Sequence, residues 1–436
     1  MKWRLVLAIA MSLGSGLISP VPAAQRSPDA NVPRTMQEYL QYAALNNAGL
    51  KAAFEAWKAA LEEIPQVQAL PDPRFTYGYF IEEVETRVGP QKQRFSLTQT
   101  FPWFGVLASR SDAAAAAAHA AQKRYEAKKL ELFYAVKESF YEYVYLRSAI
   151  EIARESLDLV RHFEEVARTK YITAEAGHPD VIRAQMELAT LADKLEALEQ
   201  LRGPIVAQLN AALNRPSGAT LPWPQHESYG EVRVERDRIL SALKQQNPQL
   251  QALNSDVESA RHRVALAKKR FYPDLSVGVD WVDTDDAFAA GVRDSGKDPV
   301  ILMFSMNLPI WRKSYGAAEL QARAASRRLV HQKKELANDL LARAERVLYD
   351  FEDSRRKIRL YGSVLVPKAE ELVGASETAY AAGTVDFLSL IDAEQTLLKL
   401  RLQHERAKVD RQQRLAELEM LVGTDLGHSG ESVVRD

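Results

Sequence analysis

The 436-residue sequence predicts a mainly α-helical chain with a small β part, built as one helix–hairpin–long helix unit used twice. Three observations carry that expectation. From Val106 to Ala176 about 70 residues run without glycine or proline, enough at about 1.5 Å per residue for a rod of roughly 100 Å. Two regions alternate apolar and polar residues with period two, the signature of half-buried strands. Residues of the first half also recur in the second at offsets of about 200 to 209, far too long for a solenoid repeat.

Taken in order, Met1-Lys2-Trp3-Arg4 is a short basic region followed by the apolar Leu5–Leu13, and Val21-Pro22-Ala23 ends in the small residues a signal peptidase accepts. Residues 1–23 therefore read as a cleaved export signal, with cleavage after Ala23 or Ala24. As an alternative membrane anchor the stretch is short and broken by Gly14, Gly16 and Pro20. A first repeat is expected over 24–230. Met36–Ile64 carries apolar residues at helical spacing, with Pro65, Pro71 and Pro73 ending it. Strands are expected near 75–81 and 94–101, joined by a loop containing Gly89-Pro90. Pro102 and Gly105 mark the corner from which the long helix 106–176 departs. After Gly177-His178-Pro179 a second helix runs from Asp180 to about Arg202 and continues, kinked at Gly203-Pro204, to Leu213.

The second repeat is expected over 231–423, with 424–436 as a tail. It has a helix over Arg236–Lys269, strands near 275–282 and 300–308, a corner at Pro309, a long helix 317–361 and a last helix from about Asp386 to Leu421. The correspondence reaches single residues. Asn47-Ala48-Gly49-Leu50 faces Asn247-Pro248-Gln249-Leu250, Pro102 faces Pro309, and Tyr171 with Asp180 faces Tyr380 with Ser389.

Composition excludes several function classes. With 57 basic and 58 acidic residues the chain offers no support for a nucleic-acid partner. The absence of cysteine removes disulfides, thiolate metal sites and thiol nucleophiles. A mean hydropathy of −0.29 excludes a bundle of transmembrane helices. The eight histidines are scattered, so no metal site is expected, and no serine–histidine–acid arrangement follows from spacing. Gly291–Lys297 resembles most of a phosphate-binding loop, but Asp298 stands where serine or threonine would hold magnesium. It also joins two strands, so it reads as an exposed hairpin loop. No catalytic site and no cofactor are expected.

Four strands cannot close a barrel, and open edges would leave backbone groups unpaired. In an exported chain, aromatic alternating strands suit an outer-membrane wall, and three chains would supply twelve strands. The export signal, the duplicated plan, the proline–glycine corner, and Tyr-x-x-Gly followed by an Asp-x-x-Asp-Ala-type helix start resemble the TolC-like outer-membrane efflux proteins. The resemblance spans about Met36–Gly423. It implies a homotrimer whose twelve-stranded barrel in the outer membrane of a Gram-negative bacterium continues as an α-helical periplasmic tunnel. It also implies two partners, a periplasmic adaptor (membrane fusion protein) and an inner-membrane transporter. Drugs, metal ions or a polypeptide are the implied cargo, and Gln99-x-x-Pro102-x-x-Gly105 resembles the corner of members linked to heavy-metal efflux.

The same resemblance puts a narrow entrance at the periplasmic tip. Asp392 stands at the second aspartate of the motif and Ser389 at the first, while Asp180 and Arg183 hold those places in the first repeat, with Asp386 nearby. Two readings stay open for these carboxylates: a charged ring that favours cations, or first-turn aspartates that stabilise a helix dipole. A rival of another class is a soluble periplasmic coiled-coil adaptor or structural protein, which leaves the aromatic hairpins unexplained.

Overall fold

The expected signal peptide and the end of the tail lie outside the residues described by the computed structural model, which are 32–225, 230 and 232–426. The single helix expected over 36–64 is two, α1 (Met36–Asn46) and α2 (Ala48–Gln68), because Asn47 leaves helical geometry with ψ at 123°. The Asn47 side chain accepts from the Leu50 N–H at 2.9 Å and donates to the Ala212 carbonyl at 2.9 Å. Its counterpart Asn247, buried between α6 (Arg236–Gln246) and α7 (Pro248–Lys269), does the same. It accepts from the Leu250 N–H at 3.0 Å and donates to the Leu421 carbonyl at 2.8 Å. Each asparagine thus caps a new helix and satisfies a carbonyl near the end of another. Pro65 does not end α2. It sits in the last turn, and Pro71 and Pro73 fall beyond.

Among the described residues four strands form one antiparallel sheet in the order β1 (Arg74–Thr86), β2 (Gly89–Phe101), β3 (Leu275–Thr284), β4 (Val300–Met306). The first hairpin is longer than its apolar alternation suggested. Gly89 and Pro90 pair with Thr86 and Glu85 instead of forming the loop, beyond a register shift between Tyr79 and Val84. Charged Glu82, Glu83 and Glu85 hid this extension, since ladder bonds are main-chain and do not require an apolar side chain.

The long helix α3 (Val106–Ile172) starts as expected and stops four residues short, where Ala174 takes a left-handed φ of 57°. Pro179 lies in the first turn of α4 (His178–Gln200). Gly203-Pro204 opens α5 (Arg202–Leu213) instead of kinking a continuous helix. The second long rod begins at Arg312, five residues before the expected Ala317, and does not stop at Tyr361. Helix α8 (Arg312–Leu360) passes through one π-helical turn, Tyr361–Leu365, into α9 (Val366–Ala381). Gly362 lies within this rod where the His404 ring occupies the space a Cβ would need, 2.8 Å away. The widened turn also accommodates Pro367, whose ring would meet a carbonyl in a regular helix. Helix α10 (Phe387–Val422) is closed by Gly423 at φ +92°.

Among the described residues the helices share three apolar cores along their length. One at the tip joins the end of α3 with α4, α9 and the start of α10 through Phe163, Leu191, Val373 and Phe387. A second packs α1 and α5 on mid-α3 around Tyr39, Phe140 and Leu209, and a third packs α6 on α8 and the end of α10. Near the sheet, the alanines of α3 let α7 approach closely enough for the Ser259 hydroxyl to bond the Ala113 carbonyl at 2.8 Å.

Candidate functional site: a two-faced sheet and a helical tip

Strand residues alternate sides, so the register fixes the composition of each sheet face. One face carries the rows Tyr77–Phe95–Trp281–Val300, Phe75–Leu97–Val279–Leu302 and Phe101–Leu275–Met306. Its rings stack across strands, with Phe95 5.2 Å from both Tyr77 and Trp281. Apart from the half-buried Phe95 these apolar side chains are exposed, as is Phe304 beside Val277 on the same face, at 75%. The opposite face carries Arg94, Ser96, Thr98, Thr100, Ser276 and Asp280. There Arg94 pairs with the fully buried Asp280, and Thr100 and Ser276 share a 2.9 Å hydrogen bond. Gly278 lies in this polar row because a Cβ would meet the Thr98 hydroxyl at 2.8 Å. Among the described residues β1 and β4 each pair on one side only, so the sheet has two open edges. An apolar, outward-facing, open-edged sheet is unstable in water and fits a lipid wall completed by further strands.

The corners hold this sheet on the helices. Gly105 has φ +73°, and a Cβ there would sit 2.3 Å from the Lys269 amine, which donates to the Phe104 carbonyl at 3.2 Å. Pro102 follows the last ladder residue of β2. Pro309 lies between β4 and α8, two residues past an Asn307 side chain that accepts from the Asp274 N–H.

At the far end, the turn 173–177 and the turn 382–386 lie together. Tyr380, buried at the end of α9, donates to Asp180 Oδ2 at 3.4 Å, linking the second half to the first turn of α4. Burial and the neighbouring Asp180 charge push the Tyr380 hydroxyl up to about 12. Lys170 lies over the Tyr380 ring at 5.3 Å. Arg183 stands 3.9 Å from Asp180. Asp386 caps α10, accepting from the Ser389 N–H at 3.0 Å and hydroxyl at 2.6 Å. These bonds, with Arg183 close by, hold its carboxyl below the usual range. Capping thus accounts for Asp386 and Ser389 locally. Asp392 differs: it is exposed one turn further along α10 and makes no hydrogen bond or ion pair with any described residue. The structure therefore brings Asp180, Arg183, Asp386 and Ser389 into one cluster and leaves Asp392 beside it.

Two residues of this region carry more than their motif indicated. Tyr380 was visible only as part of a turn signature. Glu394 is 1% exposed in the tip core, hydrogen-bonded to Ser156, and pushed up to about 7 by burial and then by Glu187. Its sequence signal is a glutamate flanked by apolar Ala393 and Leu397 on a buried helix face.

The left-handed turn residue of the first half is Ala174, where the second half has Gly383 at φ +74°. A Cβ in that region costs about 1 kcal/mol. Ala174→Gly is expected to stabilise the protein by about 1 kcal/mol, and Gly383→Ala to destabilise it by a similar amount. Urea unfolding of both variants measures this, and equal midpoints would remove strain as the distinction between the turns.

The loop resembling a phosphate site is the β3–β4 hairpin, with Gly291, Asp294 and Gly296 at positive φ and the Gly296 N–H bonded to the Val88 carbonyl at 2.8 Å. Among the described residues no group of three or more histidine or acidic side chains is placed to hold a metal ion.

Comparison with known proteins agrees with this geometry. The family model described as outer membrane efflux protein matches residues 39–215 and 239–424. The cobalt-zinc-cadmium resistance protein CzcC of Cupriavidus metallidurans is 22% identical over 397 residues, 88% of each chain. Among solved structures, the outer membrane protein VceC of Vibrio cholerae superposes with a TM-score of 0.74 at 16% identity, covering 90% of this chain and 96% of that one. The open state of the MtrE outer membrane channel of Neisseria gonorrhoeae gives 0.73 at 16% identity, covering 91% and 90%. The exposed apolar sheet face, which a soluble adaptor would not carry, and the family match over most of the chain lead to one conclusion: this chain belongs to the outer membrane efflux protein family and is an outer-membrane efflux channel, a passive duct and not an enzyme.

Proposed function

We propose that three copies join β1 of one to β4 of the next, closing a twelve-stranded barrel in the outer membrane that α3, α4, α8, α9 and α10 continue as a periplasmic tunnel. The observation that carries this reading is the four-stranded sheet with one apolar face, one polar face and two open edges. Closure satisfies the edges, turns the aromatic rows toward lipid and leaves Arg94 and the hydroxyl rows around water. The two halves are a duplication of one unit, so the threefold tube has sixfold pseudo-symmetry. A periplasmic adaptor and an inner-membrane transporter supply cargo and energy, since nothing in a duct of this kind performs work.

Asp392 lines the tunnel entrance near the tip, where three copies concentrate negative charge and favour cations. Its lack of a local partner supports this role over helix capping. Divalent metal cations are the cargo class this charge suits, and the relative CzcC is named for resistance to cobalt, zinc and cadmium. Planar-bilayer conductance of the purified protein, with its mass in detergent, tests the reading. A trimer with discrete cation-preferring openings is expected, and Asp392→Asn should lower the cation-to-anion permeability ratio roughly threefold. Unaltered selectivity would take Asp392 out of the entrance, whereas a monomer without conductance would remove the barrel.

A further inference from the structure

We propose that the β4–α8 corner is a binding surface for anionic phospholipid of the inner leaflet. Arg312 and Lys313 contact the headgroup phosphate there, and Ile310 and Trp311 sit at the headgroup boundary. The proposal rests on the outer-membrane reading of the sheet.

The lipid-facing rows end at Phe101–Leu275–Met306, and the chain then runs through Leu308, Ile310 and Trp311, which are 70%, 67% and 72% exposed. The corner is thus continuous with the lipid-facing surface, at the level where a tryptophan ring is most stable in a membrane interface. Arg312 and Lys313 come next. Both are exposed, and neither forms an ion pair with any described residue. They occupy the first turn of α8, which contains no acidic residue and has no side-chain cap. Cations are disfavoured at that end of a helix, where the backbone presents partial positive charge. Their placement therefore opposes the helix and calls for an external anion. Residues 310–315 line a shallow depression, open to the surroundings, of about 580 Å³.

The sign of the charge identifies the partner. At the other end of the sheet the β3–β4 loop carries Asp285, Asp286, Asp294 and Asp298 against Arg293 and Lys297, so that end is acidic on balance. Juxtamembrane lysines and arginines are attracted to anionic lipid, and two of them select it over a zwitterionic lipid by about tenfold or more.

Native mass spectrometry of the full-length protein in detergent, titrated with phosphatidylglycerol, phosphatidylcholine or inorganic phosphate, tests this. Phosphatidylglycerol is expected to bind about tenfold more tightly than phosphatidylcholine. The double variant Arg312→Gln with Lys313→Gln should lose that preference. Arg327→Gln with Arg328→Gln, an equal charge loss further down α8, should keep it. Equal binding of the two lipids, equal loss in both variants, or displacement of the lipid by millimolar inorganic phosphate would overturn the proposal. Conductance measured in parallel separates the two readings. A conducting channel without lipid preference overturns the corner site alone, and a wild type that neither inserts nor conducts overturns the barrel beneath it.

Discussion

Glu394→Gln is expected to raise stability at pH 8 by about 3 kcal/mol and to change it little near pH 4. The carboxyl is buried among apolar side chains of α3, α4 and α10, where ionisation is penalised, and its pKa stands at about 7. Ser156 Oγ is its hydrogen-bond partner, while its second oxygen has none. Glu187 opposes ionisation and Lys194 on α4 partly offsets it. Glu155 and Arg401, at the edge of the same small cleft, are paired with each other. An unfolded glutamate titrates near 4.3, so between about pH 4.5 and 7 the unfolded chain releases a proton that the folded chain retains. Stability falls across that window and is level above it. Glutamine cannot ionise, and the first half already has Gln185 at the position 209 residues earlier. Chemical unfolding at pH 4.5, 6 and 8 should show a slope in the wild type that the variant lacks. Parallel slopes would locate the pH dependence elsewhere.

Much of this fold was legible because its elements are long and their periods unambiguous. The start of α3 and the placing of both hairpins follow from helix propensity, a proline–glycine corner and period-two aromatic runs. The errors fall where a distant residue decides. Asn47 ends α1 because α5 offers a carbonyl to its side chain, which no local window contains. Gly362 is a glycine inside a helix, where His404, some forty residues on, leaves no room for a Cβ. The tip was legible as a motif but not as a set of contacts. The Tyr380 hydroxyl reaches an aspartate 200 residues away, and Asp386 proved to be the cap that Ser389 completes. Asp392 was named from the motif alone, and what the sequence did not tell is that it is the carboxylate of the group with no local partner among the described residues.

Tyr380→Phe should open the channel. If the tip is the entrance, the two turns must separate for cargo to pass, and the hydrogen bond from Tyr380 to Asp180 is a polar contact that crosses from the second half to the first, alongside the attraction of Arg183 for Asp386. The remaining ring contacts, Lys170 over its face and Phe387 5.3 Å from its centre, are kept by phenylalanine. The variant therefore removes one hydroxyl without opening a cavity. A hydrogen bond to a charged acceptor contributes about 1.5–3 kcal/mol net, and the 3.4 Å length places this one at the lower end. A loss of about 1.5 kcal/mol per subunit shifts a closed–open equilibrium about tenfold, and more if the three subunits open together. Asp180→Asn should act in the same direction but less, because asparagine can still accept the bond while losing the attraction of Arg183 at 3.9 Å. Single-channel recordings should show a rise in open probability of at least tenfold for Tyr380→Phe with conductance per opening unchanged, since no pore-lining charge is altered. An unchanged open probability would mean that the contact joins the turns without holding the entrance shut. A changed selectivity would place Tyr380 in the path of the cargo itself.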